Sequence, residues 1–132
     1  MTTEAIPTEA ELAILAVLWK RGPSTVRDVH EALGREDGKS AGYTTTLKQL
    51  QVMTAKELVT RDESSRSHVY AANVAEARTK RQLVKDLLER VFGGSSAALA
   101  LQALSLKPAS KDELEELRKL LDGDKPRKED KR

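Results

Sequence analysis

The side chains best equipped for polar recognition crowd into one short stretch, GYTTTLKQL, residues 42–50. Thr44, Thr45, Thr46, Lys48 and Gln49 supply hydroxyls, a cation and an amide within six positions. A further cation, Arg66, stands in the polar stretch ESSRS. Hydroxyl, amide and ammonium groups bind phosphate oxygens and base edges, and threonine methyls pack on thymine methyls. None of these groups forms a nucleophile–base pair, so the chemistry they offer is recognition and not bond-making. Three consecutive threonines are also poor starting material for a helix, because β-branched side chains lose χ1 freedom there. Their position therefore calls for a reason other than helix propensity.

The remainder of the sequence excludes several classes of function. The chain of 132 residues has no cysteine, which removes disulfides, thiolate metal sites and cysteine nucleophiles. His30 and His68 stand alone, so no metal site and no cofactor are expected. No Ser-His-Asp spacing, P-loop or GxGxxG occurs, and adjacent acids such as Glu115 and Glu116 read as solvated helix surface. The first residues, MTTEAIPTEAEL, lack the basic and apolar regions of a signal peptide, and no apolar window approaches 18 residues. The expectation is a cytoplasmic protein without membrane insertion.

The formal net charge of +2 conceals a regional pattern. Residues 1–73 carry 9 Lys/Arg and 10 Asp/Glu, yet the segment 39–70 holds Lys39, Lys48, Lys56, Arg61 and Arg66 against only Glu57, Asp62 and Glu63. Nucleic-acid binding would therefore rest on where the charges sit and not on their total.

The elements that must position these residues follow from hydrophobic spacing and capping signals. TEAELAILAVLWKRG predicts a first helix with Thr8 and Glu11 as a capping box, Trp19 in the core and Gly22-Pro23 as the stop. STVRDVHEALG predicts a second helix, capped by Ser24 or Thr25, with Val26, Val29 and Leu33 inward and Gly34 ending it. After a turn-rich connection, YTTTLKQLQVMTAKEL predicts a third helix with Leu47, Leu50 and Met53 inward. Thr44 is then at its mouth, as cap or phosphate contact, with Thr45 outward and Thr46 nearer the core. LVTRD and SHVYA, flanking ESSRS, read as a β-hairpin with a polar tip.

Beyond residue 73 the helical period returns. EARTKRQLVKDLLERVF carries Leu83, Val84, Leu87, Leu88 and Val91 on a broad stripe, and Gly93-Gly94 breaks it. SSAALALQAL predicts a short helix capped by Ser95 or Ser96, and SKDELEELRKLLDG a last one with Ser110 and Glu113 as a capping box. Leu-rich stripes on so few residues suggest a core completed by a second copy. Leu83, Leu87, Leu88, Val91, Phe92, Leu99, Leu114, Leu117 and Leu121 are the expected dimerisation residues.

The expected fold is therefore mainly α: an N-terminal winged helix-turn-helix of three helices plus a β-hairpin wing (1–73), then a three-helix dimerisation domain (74–122) and a disordered charged tail (123–132). In winged helices the third helix enters the major groove by its N-terminal part. That gives the threonine run its role. Thr44, Thr45, Thr46, Lys48 and Gln49 form the expected DNA-binding set, and Arg66 meets the backbone or minor groove at the wing.

The stretches TEAELAILAVLWKRGPSTVRDVHEAL, GYTTTLKQLQVMTAKELV, SSRSHVYAA, LLERVFGGSSAALALQAL and SKDELEELRKLL resemble penicillinase repressors of the BlaI/MecI type, across residues 8–122. The resemblance implies a homodimeric repressor of transcription whose winged helices bind two half-sites of a palindromic operator. It also implies control of resistance or stress genes and release by a sensor protease or another inducer.

Four features depart from that pattern. Val52-Met53 replaces the usual Arg-Leu, and Glu57 replaces a glycine whose turn implies positive φ. Gln102-Ala103 replaces the Asn-Phe cleavage pair, and the Cys-x-Cys motifs of copper-responsive relatives are missing. Two rival readings are a helical protein-interaction adaptor on a winged-helix scaffold and a small enzyme. The enzyme fares worse, since no catalytic constellation assembles.

Overall fold

The computed structural model describes residues 6–37 and 42–123. Its elements run α1 (Glu9–Arg21), β1 (Ser24–Thr25), α2 (Val26–Asp37), α3 (Tyr43–Ala55), β2 (Val59–Asp62), β3 (Val69–Ala72), α4 (Glu76–Arg90), α5 (Ser96–Leu106) and α6 (Lys111–Leu121). The expected order of three helices, a hairpin and three helices is present. The chain divides into two compact units, residues 1–84 and 85–132, with the division inside α4.

In the first unit α1 and α2 start where their capping chemistry dictates. The Thr8 backbone N–H donates to Glu11 Oε1 at 2.9 Å, and Glu11 N–H donates to Thr8 Oγ1 at 3.2 Å. Both orphan donors at the head of α1 are thereby satisfied. Gly22 closes α1 with φ 91°, a conformation that favours glycine. Thr25 and Asp28 repeat the reciprocal pattern at α2, each backbone N–H donating to the other's side chain at 3.1 Å. Thr25 is thus the residue that caps α2. The expected stop at Gly34 does not occur, because α2 continues to Asp37. A glycine in a helix interior costs only about 1 kcal/mol relative to alanine, and nothing local compels it into the left-handed region.

The sheet has one strand more than the sequence led us to expect. Ser24 and Thr25 pair antiparallel with Tyr70 and Val69, which makes β3 the central strand in the order β1-β3-β2. The hairpin itself pairs Val59 with Ala72 and Asp62 with Val69. Two residues with no alternation carry no legible strand signal. The pairing comes from the chain reversal after Gly22, which delivers Ser24 to the β3 edge.

Ile14, Leu15, Val17, Leu18, Val26, Val29, Leu50, Met53, Val59 and Tyr70 form one core, with Trp19, Leu33 and Leu47 packed on it. Leu15, Val29, Leu50 and Met53 have no exposed surface. Trp19 Nε1 donates to the Val74 carbonyl at 3.0 Å, tying α1 to the segment before α4. Glu57 follows α3 with φ 66°, the only non-glycine with positive φ among the described residues. This is the position where the family pattern has glycine, and the turn does require the left-handed conformation. The Glu57 carbonyl accepts from Asn73 Nδ2 at 2.9 Å.

The second unit contains the end of α4 with α5 and α6. Gly93 and Gly94 turn the chain with φ 57° and 84°. Ser95 caps α5, its hydroxyl accepting from Ala98 N–H at 3.0 Å, and Ser110 and Glu113 form the capping box of α6. Neither α5 nor α6 buries a single residue. Between them lies an apolar groove of about 500 Å³, lined by Ala103, Leu104, Pro108 and Leu117 among others. The expected disorder of the charged tail falls, beyond Gly123, outside the described residues. No helix among the described residues is long and apolar enough to cross a membrane.

Candidate nucleic-acid interface

The head of α3 resolves the threonine run. Gly42 is the N-cap and no side chain caps the helix. Instead the Gly42 carbonyl accepts from Thr45 N–H at 3.0 Å and Thr46 N–H at 3.2 Å. Thr44 is therefore already inside the first turn, and the reading of it as a cap is corrected. Thr44 and Thr45 are exposed. Thr46 is only 2% exposed, and its hydroxyl lies 3.1 Å from His30 Nδ1 on α2. That contact turns Thr46 inward, away from the helix surface. The three side chains thus divide into two that face solvent and one that fastens α2 to α3.

Further along α3, Lys48 and Gln51 are exposed and Gln49 is half-buried, while Leu50 and Met53 enter the core. This is the outward polar face that the spacing predicted. Val52, in the position of the family's arginine, is exposed on the same helix. Arg66 stands exposed between β2 and β3, in the hairpin tip. The structure brings Arg66 to the N-terminal end of α3. The hairpin tip before β3, Tyr70 of β3, the start of α2 and the N-terminal part of α3 line one groove of about 460 Å³, which includes Arg27, Tyr43, Leu47, Arg66, His68 and Tyr70.

Sequence reasoning missed His30 and Arg27. His30 read as an isolated histidine. It bonds Thr46 and meets the Tyr43 ring edge-on, with centroids 5.8 Å apart and planes at 72°. Arg27 read as ordinary α2 surface. The signal that would have found it is the capping pair Thr25/Asp28, which fixes the start of α2 and hence which residue leaves its first turn toward β3.

Several other charges of this unit are paired in place. Lys56 Nζ donates to the buried Glu11 carboxylate at 2.6 Å. Burial alone would raise the Glu11 pKa, but the bonds from Lys56 and Thr8 outweigh it and hold the carboxyl below its ordinary range. Arg61 lies 2.5 Å from Glu63. Hydrogen bonding with Tyr70, and then the Glu63 charge, keep its guanidinium more firmly protonated than usual. Asp28 takes the Thr25 backbone bond first and feels Arg21 and Arg27 besides, so its pKa is lowered. At the hairpin, Ser64 N–H donates to Asp62 Oδ1 at 2.9 Å and lowers that carboxyl too. Among the described residues no three His, Asp or Glu side chains gather into a metal site.

A helix head with outward hydroxyls and a lysine, beside a hairpin carrying an arginine, suits a surface that docks on phosphate and base edges. Residues 7–123 match the family described as penicillinase repressor. The transcriptional regulator BlaI of Mycobacterium tuberculosis, in two strains, is 32% identical over 114 residues, spanning 86% of this chain and 80% of the relative. Among solved structures, a complex structure of hsRosR-S4 matches with TM-score 0.53 and 21% identity over 89% of both chains. The Bacillus licheniformis BlaI monomeric form, in complex with the blaP half-operator, matches with TM-score 0.48 and 22% identity over 58% of this chain and 92% of that one.

Proposed function

The chain belongs to the penicillinase-repressor family, and on that premise we propose that it represses transcription as a homodimer bound to a palindromic operator. It is a DNA-binding transcriptional repressor and not an enzyme, as its family is. The observation that carries the finer reading is the split of the threonine run. Thr46 is spent on holding α3 against α2, which leaves Thr44 and Thr45 exposed at a helix head beside Lys48. In this reading Thr44, Thr45, Lys48 and Gln49 meet the major groove and Arg66 meets the backbone or minor groove at the wing. Thr46 supports the reading surface from behind.

The pairing half of the proposal draws on α4 and the second unit. Leu87, Val91, Leu114 and Leu121 are all exposed, and Leu83, Leu88, Phe92, Leu99 and Leu117 are half-buried. Apolar stripes that stay open in one chain are what a second copy would cover. The working assignment is residues 1–73 for DNA binding and 74–122 for dimerisation. The protein acts in the cytoplasm, and an inducer releases it, either a sensor protease or another signal. Gln102-Ala103, at the place of the family's cleavage pair, lies within helical α5.

Selection of genomic DNA fragments on the purified full chain tests this function. The expected result is one enriched motif, an inverted repeat with half-site centres about one helical turn apart. Recovery of fragments with no shared motif would overturn it.

A further inference from the structure

The cations of residues 6–73 whose side chains are described sort into two groups. Arg21, Lys56 and Arg61 are each committed to a carboxylate, of Asp28, Glu11 and Glu63 respectively. Lys20, Arg27, Lys48 and Arg66 make no side-chain hydrogen bond or ion pair among the described residues. Of these four, Arg27 and Arg66 line the same groove from different elements, the first turn of α2 and the hairpin tip. No aspartate or glutamate among the described residues lines that groove. Asp28, next to Arg27 in sequence, feels its charge, but the Asp28 carboxylate already accepts from Thr25 N–H and faces Arg21 at 3.8 Å. Tyr43, 47% exposed, adds an aromatic wall held in place by His30.

An open channel with an uncommitted guanidinium on each side and no acid between them fits a polyanion strand. A guanidinium binds phosphate oxygens through paired N–H donors and keeps its charge at every physiological pH. We propose that this groove seats the sugar-phosphate backbone of one DNA strand, with Arg27 as a phosphate contact opposite Arg66. The inference rests on the DNA-binding reading above and adds to it a second anchoring element, α2. Arg27 positions the chain on the duplex and reads no base. Its loss therefore weakens operator and random DNA alike.

The test is the salt dependence of binding by the full chain to two duplexes of equal length, one recovered by the genomic selection and one random. R27A is expected to lower the slope of log affinity against log salt by about one unit on both duplexes and leave their affinity ratio unchanged. R27K keeps the slope. K20A, an uncommitted cation away from the groove, serves as the charge-matched control and keeps it too. A wild-type slope in R27A, or an equal loss in R27A and K20A, overturns the inference while leaving the repressor reading intact. Failure of the unmodified chain to bind either duplex overturns both. The Thr25/Asp28 cap does not involve the Arg27 side chain, so R27A should melt as the wild type does. If it does not, R27Q, which keeps the chain length, provides the same readout.

Discussion

The two units of this molecule spend similar hydrophobic sequence in opposite ways. In residues 1–84, leucines and valines from α1, α2 and α3 meet β2 and β3, and Leu15, Val29, Leu50 and Met53 lose all contact with solvent. In residues 85–132, α5 and α6 bury nothing, and Leu101, Leu106 and Leu121 remain 69%, 79% and 81% exposed. Burial of apolar surface is worth about 25 cal/mol per Å², so a leucine-rich unit left this open forgoes most of the stabilisation its composition offers. Charge shows the reverse contrast. The closed unit ties several charges into pairs and, among the described residues, leaves Arg27, Lys48 and Arg66 without an ion pair. The difference teaches that one unit is finished as a fold and unfinished as an electrostatic surface, while the other is unfinished as a fold. A DNA strand would complete the first and a second copy would complete the second.

The largest expected effect strikes the closed core. Leu50→Ala should cost about 3 kcal/mol, the range for a fully buried leucine, with a thermal midpoint shift independent of protein concentration. A cost below about 1 kcal/mol would mean the first core is as open as the second. Next is Leu87→Asp in α4. It places a charge on the expected pairing stripe and should leave a monomer in sedimentation experiments with the first unit still folded. A dimer that survives it would remove Leu87 from the interface.

Smaller effects sharpen the picture of the first unit. Lys56→Ala deprives buried Glu11 of its cation and should destabilise by about 1 kcal/mol at neutral pH, a modest figure because the Lys56 head is half exposed. The sign with pH follows from Glu11. Its folded pKa is lowered from 4.5, so its stabilisation is full above that value and fades as pH falls through the folded value. The gap between wild type and variant should therefore narrow in melts below pH 4.5; a constant gap would assign the effect to lost packing of the Lys56 stem. The smallest effect is a gain. Glu57→Gly relieves a positive φ and should stabilise by up to about 1 kcal/mol in chemical denaturation, offset in part by the greater freedom of glycine in the unfolded chain.

Much of this architecture was legible because its signals are local. Thr8/Glu11 and Ser110/Glu113 are capping boxes that announce themselves three residues apart, and both form. The stripe Leu47, Leu50, Met53 gave the correct inward face of α3, and Gly93-Gly94 the turn after α4. What escaped was set by contacts between distant residues. β1 exists because Ser24 and Thr25 meet β3 some 45 residues later, as in the Ser24–Tyr70 pair. The spacing placed Thr46 nearer the core but did not show its bond to His30 sixteen residues earlier. Gly34 carried a local stop signal that the continuing helix overrode. Arg27 joined the candidate site only once the fold had brought α2 and the hairpin tip to one groove. The chemistry of the candidate site was thus readable at α3, where sequence neighbours share a face, and unreadable where three elements converge.

The central claim is that the closed unit reads DNA and the open unit pairs copies. Native mass spectrometry of the full chain on the duplex recovered by genomic selection measures both at once. The account predicts two chains per inverted repeat. Leu87→Asp should bind as single chains and far more weakly. One wild-type chain per duplex at saturation, or no complex in excess of a random duplex, would contradict it.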